Sequence, residues 1–467
     1  MDYHRSFITH AHFYQPPRED PIDDEVPLEV SAFPYHDWNE KIFQTCYRPN
    51  IELGNFSKIS FNIGPTLIRW MRKKHPDALQ KIIDADSESV RRNGFGNAIA
   101  QPYHHTILPL ATRDEKETEI IWGIKDFIHD FGRQPEGMWL PETAVDRETL
   151  ALLADHGIKF TILAPWQIAP GVDVRQSPLK VRVEDGREIA VFVYNAELSA
   201  KASFDTHATT NADKFVEENV KRMYTKNLER QFVLLATDGE LYGHHQEYRD
   251  LFLGHLLNGS INESGLKLDL PSAWLNMVGE LPKAEIIEYT SWSCHHGINR
   301  WREACDCTPG ASWKYPLRHC LEMIAQDVDS IYKKEFEKYG IDLRDARNSF
   351  IEVINGEIEF VEWIQQKTDF PLKERDQRLI ADLLIAQDYR LRMFASCGWF
   401  FDRFDRIEPK NNLTYTAYAV LLTERTSGVD LAKKYRPFLL KIGGEGYGYS
   451  GNDVFYEAYD RFSVQVT

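Results

Sequence analysis

The sequence predicts an α/β fold: a barrel of alternating strands and helices followed by a C-terminal α-helical domain. Three observations predict it. Short apolar runs alternate with helix-like stretches from the start to about residue 294, the pattern of βα units around a parallel sheet. The run at 232–236, Phe-Val-Leu-Leu-Ala, carries no charge, as expected of a strand covered on both faces. After about residue 311 strand signals largely stop and apolar positions fall at helical spacing.

Taken in order, Ser6–Thr9 is the first expected strand, Ile59–Ile63 the second and Asn97–Ala100 the third. Gly137–Leu140, Phe160–Leu163, Ile189–Tyr194, Phe232–Ala236 and Ile286–Ser291 follow. Helices are expected over 65–74, 113–131, 146–156 and 211–226, with Pro65 and Asp114 in first turns and Asp146 as an N-cap. Residues 172–190, with Asp185-Gly186 in the middle, read as a hairpin inserted before a strand. Beyond 311, helices are expected over 313–338, 374–398 and 412–436, and Gly443–Tyr449 as an ordered loop or fraying end. The expected division is a catalytic barrel over 1–310 and a mainly helical domain over 311–467.

Composition narrows the function. With 467 residues, 43% hydrophobic, the chain can bury a sizeable core. Its net charge of −16 argues against nucleic acid and anionic membranes as partners. No stretch approaches the ~18 apolar residues of a membrane span. The opening MDYHRSFITHAHF lacks a basic region followed by a long apolar run, which predicts no signal peptide. Six scattered cysteines fit reduced thiols and a cytoplasmic location. Homo-oligomerisation is left open. Aromatic content of 12% suits a carbohydrate cleft, although most such rings fill cores.

Five polar clusters fall where barrel strands should end, the place where such folds collect functional residues. At 238–245 Asp238, Glu240, His244 and His245 arrive together, with Gly239 and Gly243 letting the backbone bend. Strand alternation puts His10 and His12 on one face, beside Gln15; they could bind sugar hydroxyls or a metal. Gln101, Tyr103, His104 and His105 follow the third strand. Trp139-Leu140-Pro141-Glu142 puts a carboxylate and an aromatic ring at a strand exit, suited to a nucleophile or acid. After the last candidate strand come Trp292, Cys294, His295, His296, Arg300 and Trp301. The spacing of Cys294, Cys305 and Cys307 fits no ordinary zinc finger or ribbon, so neither metal nor cofactor is expected. Glu142 and Asp238 together supply the two carboxylates of retaining glycoside chemistry. Two other readings compete: a metal-dependent deacetylase or amidohydrolase using His10, His12, Asp238 and His244, and a carbohydrate-binding protein without turnover.

This set of clusters resembles glycoside hydrolase family 57, through five short motifs in the right order over residues 1–310. His10-Ala-His12 with Gln15-Pro16 resembles the first motif, and Gln101 to Leu110, with His105, the second. Trp139-Leu140-Pro141-Glu142 is similar to the third, whose Glu is the nucleophile. Asp238-Gly-Glu240-Leu-Tyr-Gly243-His244 is similar to the fourth, whose Asp is the acid/base; Ser291-Trp292 resembles the fifth. The resemblance implies an incomplete (β/α)7 barrel with a C-terminal helical region, α-linked oligo- or polysaccharide substrates and a retaining mechanism without metal. His10, His12, Gln15, His105, Trp139, Glu240, His244, Trp292, His296 and Trp301 are then expected to shape the subsites. The helical stretch at 311–400 looks like an extension found in one branch of the family. Two departures bear on specificity: Thr143-Ala-Val145 stands where other members often have Cys-Ala-Tyr, and His245 where many have Trp.

Overall fold

The computed structural model describes residues 4–465 other than 176, 227, 444 and 445. Gly444 and Glu445 of the Gly/Tyr-rich stretch therefore lie outside the described residues. The chain forms two compact units: one takes the residues up to Gln15, Pro27–Pro102 and Phe127–Trp292, the other Pro16–Val26, Tyr103–Asp126 and Ser293 onwards.

The principal strands of the first unit are β1 (His4–Phe13), β2 (Ser60–Ile63), β3 (Phe160–Leu163), β4 (Leu179–Arg182), β5 (Glu188–Val193) and β6 (Arg230–Asp238). β1 lies parallel between β2 and β6, with His10 opposite Ser60 and His12 opposite both Asn62 and Asp238. Residues 97–100 and 137–140 continue the series by single parallel bridges, Phe61 to Ala98, Ala100 to Met138 and Gly137 to Phe160. β3 then pairs parallel with β5. Seven parallel segments thus run in the order β6, β1, β2, 97–100, 137–140, β3, β5. At the β5/β6 seam the Asn195 amide donates to the Leu234 carbonyl at 2.8 Å, and no strand ladder forms there among the described residues. The result is an incomplete (β/α)7 barrel. Ile8, Ile99, Trp139, Ile162, Phe192 and Leu234 fill its interior, each contributing about 1.5–3 kcal/mol by leaving water.

Local chemistry sets the helix bounds. The helix Pro65–Lys74 opens on proline, and Asp146 caps Arg147–Asp155 by accepting the Thr149 amide at 2.8 Å. Asn211 caps the next expected helix, which continues as a π turn over Val216–Val220 and a 3-10 turn over Lys221–Met223. Two strand expectations need correction. β4 pairs antiparallel with β5, Leu179 opposite Val191, so the hairpin's second arm is itself the barrel strand. Ile286–Ser291 is no strand: seven segments already make the barrel, and Ile286 and Thr290 bridge the loop residues Ile168 and Val145 instead.

The second unit is helical. Its long helices are Lys314–Phe336, Glu374–Arg392, Ile407–Ser427 and Gly451–Gln465. Trp122, Tyr332, Phe336, Phe350, Trp363 and Leu383 share one core. The single helix expected over 412–436 is two. Gly428, at φ 71°, ends the first in the left-handed conformation, and Asp430 caps Leu431–Leu439. Among the described residues no helix is long and apolar enough to cross a membrane.

Candidate active site

Asp238 is the last residue of β6, and two glycines shape the turn after it. A Cβ on Gly239 would sit 2.2 Å from the Phe13 ring; one on Gly243, at φ 131°, would sit 2.3 Å from the Thr45 carbonyl oxygen. Only glycine lets the chain pass so close. Asp238 precedes a 3-10 turn at Gly239–Leu241 but its side chain makes no capping bond. Its surface is exposed, yet protein surrounds the carboxyl as densely as a buried group. Both hold because a residue at a strand end can be ringed without being covered. Burial, then the charges of Glu240 and Glu142, push its pKa up to about 8. At neutral pH Asp238 keeps its proton.

Glu240 is buried beneath it. It accepts from the Tyr47 hydroxyl at 2.6 Å and the Tyr14 amide at 3.1 Å, and Gln15 Nε2 donates to the Tyr47 oxygen at 3.2 Å. Burial raises the Glu240 pKa to about 7 against these hydrogen bonds. Gln15 and Glu240, each 6% exposed, thus support the site from below.

Glu142 approaches from the strand end at 137–140 through a strained turn. Its φ is 56° and that of Thr143 is 51°, left-handed values that a β-branched residue rarely adopts and that cost about 1–3 kcal/mol each. Two clamps hold the turn. Trp292 donates its indole N–H to Glu142 Oε2 at 2.9 Å and its amide to the Glu142 carbonyl at 3.0 Å. The fully buried Gln167 accepts from the Thr143 hydroxyl at 2.8 Å and donates to the Thr143 carbonyl at 2.8 Å. Glu142 remains half-buried, its charge felt by Asp238.

The histidines of β1 lie on one face as expected, but that face is packed. His10 contacts Ser60 Oγ at 3.0 Å and Asn62 Oδ1 at 3.2 Å, and His12 Nδ1 lies 2.9 Å from Asn62 Nδ2. Asn62 also donates to Gln101 at 2.6 Å. Both rings stack on Trp139, at 4.9 and 5.2 Å, and Trp292 meets Trp139 edge-on at 4.9 Å. Burial lowers the pKa of His10 to about 3 and of His12 to about 4, so both are neutral donors or acceptors. His10 and Trp139 are 0% exposed. Their expected contact with sugar is corrected to a supporting role, because a covered ring offers no face to stack on.

The remaining expected residues divide between the units. His244 belongs to the barrel unit, its Nδ1 3.4 Å from Thr45 Oγ1, and its pKa falls to about 4 through burial and the nearby His245 and Lys41. His105, His296 and Trp301 belong to the helical unit. There His105 Nδ1 lies 2.7 Å from Ser396 Oγ, and His296 Nδ1 lies 3.5 Å from Cys307 Sγ. Trp301 is 0% exposed, so stacking on a ligand is corrected to a core role. The metal set of the competing reading does not assemble: among the described residues His10, His12, Asp238 and His244 form no group within metal-binding reach. Sequence reasoning missed Asn62, Gln167 and Trp166. Trp166 is 45% exposed just past β3 and donates to the Ser291 carbonyl at 2.9 Å, a presented ring beside the Trp292 segment. A Trp directly after a strand and its Pro was the available signal.

A parallel barrel with interacting carboxyl groups at separate strand ends has the make-up of a glycoside hydrolase. The profile of glycosyl hydrolase family 57 matches residues 10–289, more than half of the chain, and the chain belongs to that family. A second profile, a domain of unknown function (DUF3536), matches residues 311–445. Alpha-amylase 1 of Dictyoglomus thermophilum is 25% identical over 215 residues, 44% of this chain and 29% of the relative. The 4-alpha-glucanotransferase of Thermococcus litoralis is 24% identical over 165 residues, 34% of this chain and 24% of the relative. The chain thus spans less than a third of the length of these relatives. An exo-type maltose-forming amylase from Pyrococcus sp. ST04 superposes with a TM-score of 0.77 at 16% identity, over 97% of this chain and 88% of that one.

Proposed function

We propose that the protein is a retaining glycoside hydrolase or transglycosylase acting on α-linked glucans or related oligosaccharides, with Glu142 as nucleophile and Asp238 as acid/base. The observation that carries the reading is the placement of two carboxyl groups at separate strand ends, Asp238 closing β6 and Glu142 in the turn after 137–140 with Trp292 donating to its Oε2 at 2.9 Å. Burial, then the charges of Glu240 and Glu142, raise the Asp238 pKa to about 8, the direction an acid catalyst needs. In the first step the Asp238 proton goes to the glycosidic oxygen as that bond breaks, and Glu142 forms an ester to the anomeric carbon. Esterification removes the charge on Glu142, the Asp238 pKa falls, and the carboxylate becomes a base. It then takes a proton from water or a sugar hydroxyl, whose oxygen displaces Glu142. Trp292 donates to the Glu142 oxygen and orients the attack. The amylases and the glucanotransferase among the relatives support this substrate class and both outcomes, hydrolysis and transfer.

The test is a product profile on α-linked oligosaccharides and polymers, with anomeric configuration followed by NMR. Retention is expected, and Glu142→Gln should lower kcat on the order of 10⁴-fold with the fold intact. Inverted product, or near-normal turnover by Glu142→Gln on a verified substrate, would reject the assignment.

A further inference from the structure

The spacing of Cys294, His296, Cys305 and Cys307 argued against a metal, and the folded chain overturns that argument. Their ligand atoms all lie within 4.8 Å of one another, the sole such group among the described residues. Cys294 Sγ is 3.9 Å from both Cys305 Sγ and Cys307 Sγ, and Cys307 Sγ is 3.5 Å from His296 Nδ1. A tetrahedral zinc with Zn–S of about 2.3 Å and Zn–N of about 2.1 Å sets sulfur–sulfur edges near ~3.8 Å and sulfur–nitrogen edges near ~3.6 Å. The spacings match one ion; a cluster of several irons needs a wider ligand set. Disulfide bonding does not explain the group, since the sulfurs stand well beyond the ~2.05 Å of a bond and all six cysteines are free thiols.

Backbone amides surround two of the sulfurs. The amides of His296 and Arg300 point at Cys294 Sγ, and those of Cys307 and Thr308 at Cys305 Sγ. Such N–H···S bonds spread thiolate charge over the backbone. His296 Nε2, on the far side of the ring, lies 3.9 Å from the exposed Asp306 carboxylate, beyond hydrogen-bond reach. The segment itself is short of other constraints: between Ser293 and Trp313 the only regular element is a 3-10 turn at Asn299–Trp301.

We propose that Cys294, His296, Cys305 and Cys307 form a structural zinc site. Four protein ligands close the coordination sphere, so the ion locks the 294–307 loop and does no catalysis. The loop carries Trp301, whose carbonyl accepts from Arg318 at 2.9 Å, and Arg300, whose carbonyl accepts from Lys314 at 3.0 Å. The ion would thereby anchor the loop to the helix Lys314–Phe336. This proposal is independent of the glycoside chemistry above.

The full chain, purified reduced and without chelator, should carry about one zinc per chain by elemental analysis. Stripping should lower Tm, and added zinc should restore it. Cobalt(II) in the stripped protein should give the intense visible bands of a tetrahedral thiolate site. Cys305→Ser and Cys307→Ser should abolish those bands, and His296→Ala should shift them. If the Ser variants do not fold, the stripping and cobalt experiments on the native chain still decide. Folded native protein that takes up neither zinc nor cobalt near stoichiometry, or cobalt bands unchanged in folded Cys variants, would overturn the site.

Discussion

Buried ionisable groups are treated in opposite ways at the barrel strand ends and in one knot of the helical unit. At the barrel strand ends burial wins: His10, His12 and His244 are driven to pKa values of about 3, 4 and 4, and Asp238 and Glu240 to about 8 and 7. Each is pushed toward its neutral form. In the knot where Tyr103–Asp126 meets the helix Glu374–Arg392, partners win. His104 donates to Glu119 and to Asp388, both at 2.8 Å, and its pKa rises although burial opposes it. Arg390 pairs with Glu115 and with Asp329, and burial of Glu115 is outweighed by the Arg390 charge together with hydrogen bonds from Thr112 and Arg390. The knot is a set of paired opposite charges, and the strand ends hold carboxyl groups set beside one another. A structural network is built to stay ionised; a site for proton transfer is built so that little energy separates its two protonation states.

Asp238→Asn tests the strand-end half of that contrast and, after Glu142→Gln, carries the largest expected effect. Turnover should fall about 10²–10⁴-fold, the usual worth of a positioned acid/base. In the wild type the acid must be protonated, so kcat/KM should decline as pH rises through about 8, and the variant's residual rate should lack that limb. The sign for stability is the reverse. A carboxyl whose folded pKa is raised contributes stability below its unfolded pKa of about 3.9 and loses it as pH rises through the folded value. Asn cannot ionise, so the variant should melt higher than wild type at pH 8–9, within the range around that value of about 8. An alkaline limb retained by Asp238→Asn would assign it to another group.

Asp388→Ala tests the helical half. The side chain is 9% exposed and meets both His104 and Arg392. Removing one partner from a buried ion pair costs about 3–5 kcal/mol because the remaining charge is left uncompensated, a loss that urea unfolding would measure. Here too the sign is fixed: a raised His pKa gives stability that is complete below the unfolded value of about 6.5 and lost as pH rises through the folded one. The variant should lose more at pH 5–6 than at high pH, where His104 has given up its charge and only the Arg392 share of the loss remains. Equal loss at both would mean that His104 is neutral and the contrast between the strand ends and the knot is wrong.

Much of the barrel was legible because buried parallel strands are written as uncharged apolar runs, and β6 is the clearest of them. The strand-end positions of Asp238 and Glu142 were legible because strand ends with adjacent glycine or proline announce themselves. Burial was not. Period-two alternation correctly put His10 and His12 on one face, but nothing local shows that Trp139 and Asn62 close over that face. Trp301 failed for the same reason. The cysteine cluster was hidden because loop closure, not spacing, brings Cys294 to Cys305 and Cys307. Gln167 had no signature at all: its meaning lies in a Thr143 that is 24 residues away in sequence.

Gln167 therefore offers the smallest and most discriminating effect. Its side chain accepts from the Ala164 amide at 2.9 Å and the Thr143 hydroxyl at 2.8 Å, and donates to the carbonyls of Thr143 at 2.8 Å and Thr290 at 3.1 Å. It touches no candidate catalytic group, yet it fixes the residue after Glu142 in a conformation the backbone resists. Gln167→Ala frees that turn to relax, so the Glu142 carboxylate should spend less time aligned for attack. A misplacement of this kind costs positioning rather than binding, and kcat should fall about 10-fold while KM changes little, a barrier increase of about 1.4 kcal/mol. The alkaline limb set by Asp238 should stay where it is, because the Glu142 charge is still present. A merely structural glutamine would instead lower Tm and leave kcat per folded molecule unchanged. A kcat loss with an unmoved pH profile is what separates strain held for catalysis from strain that only holds the fold.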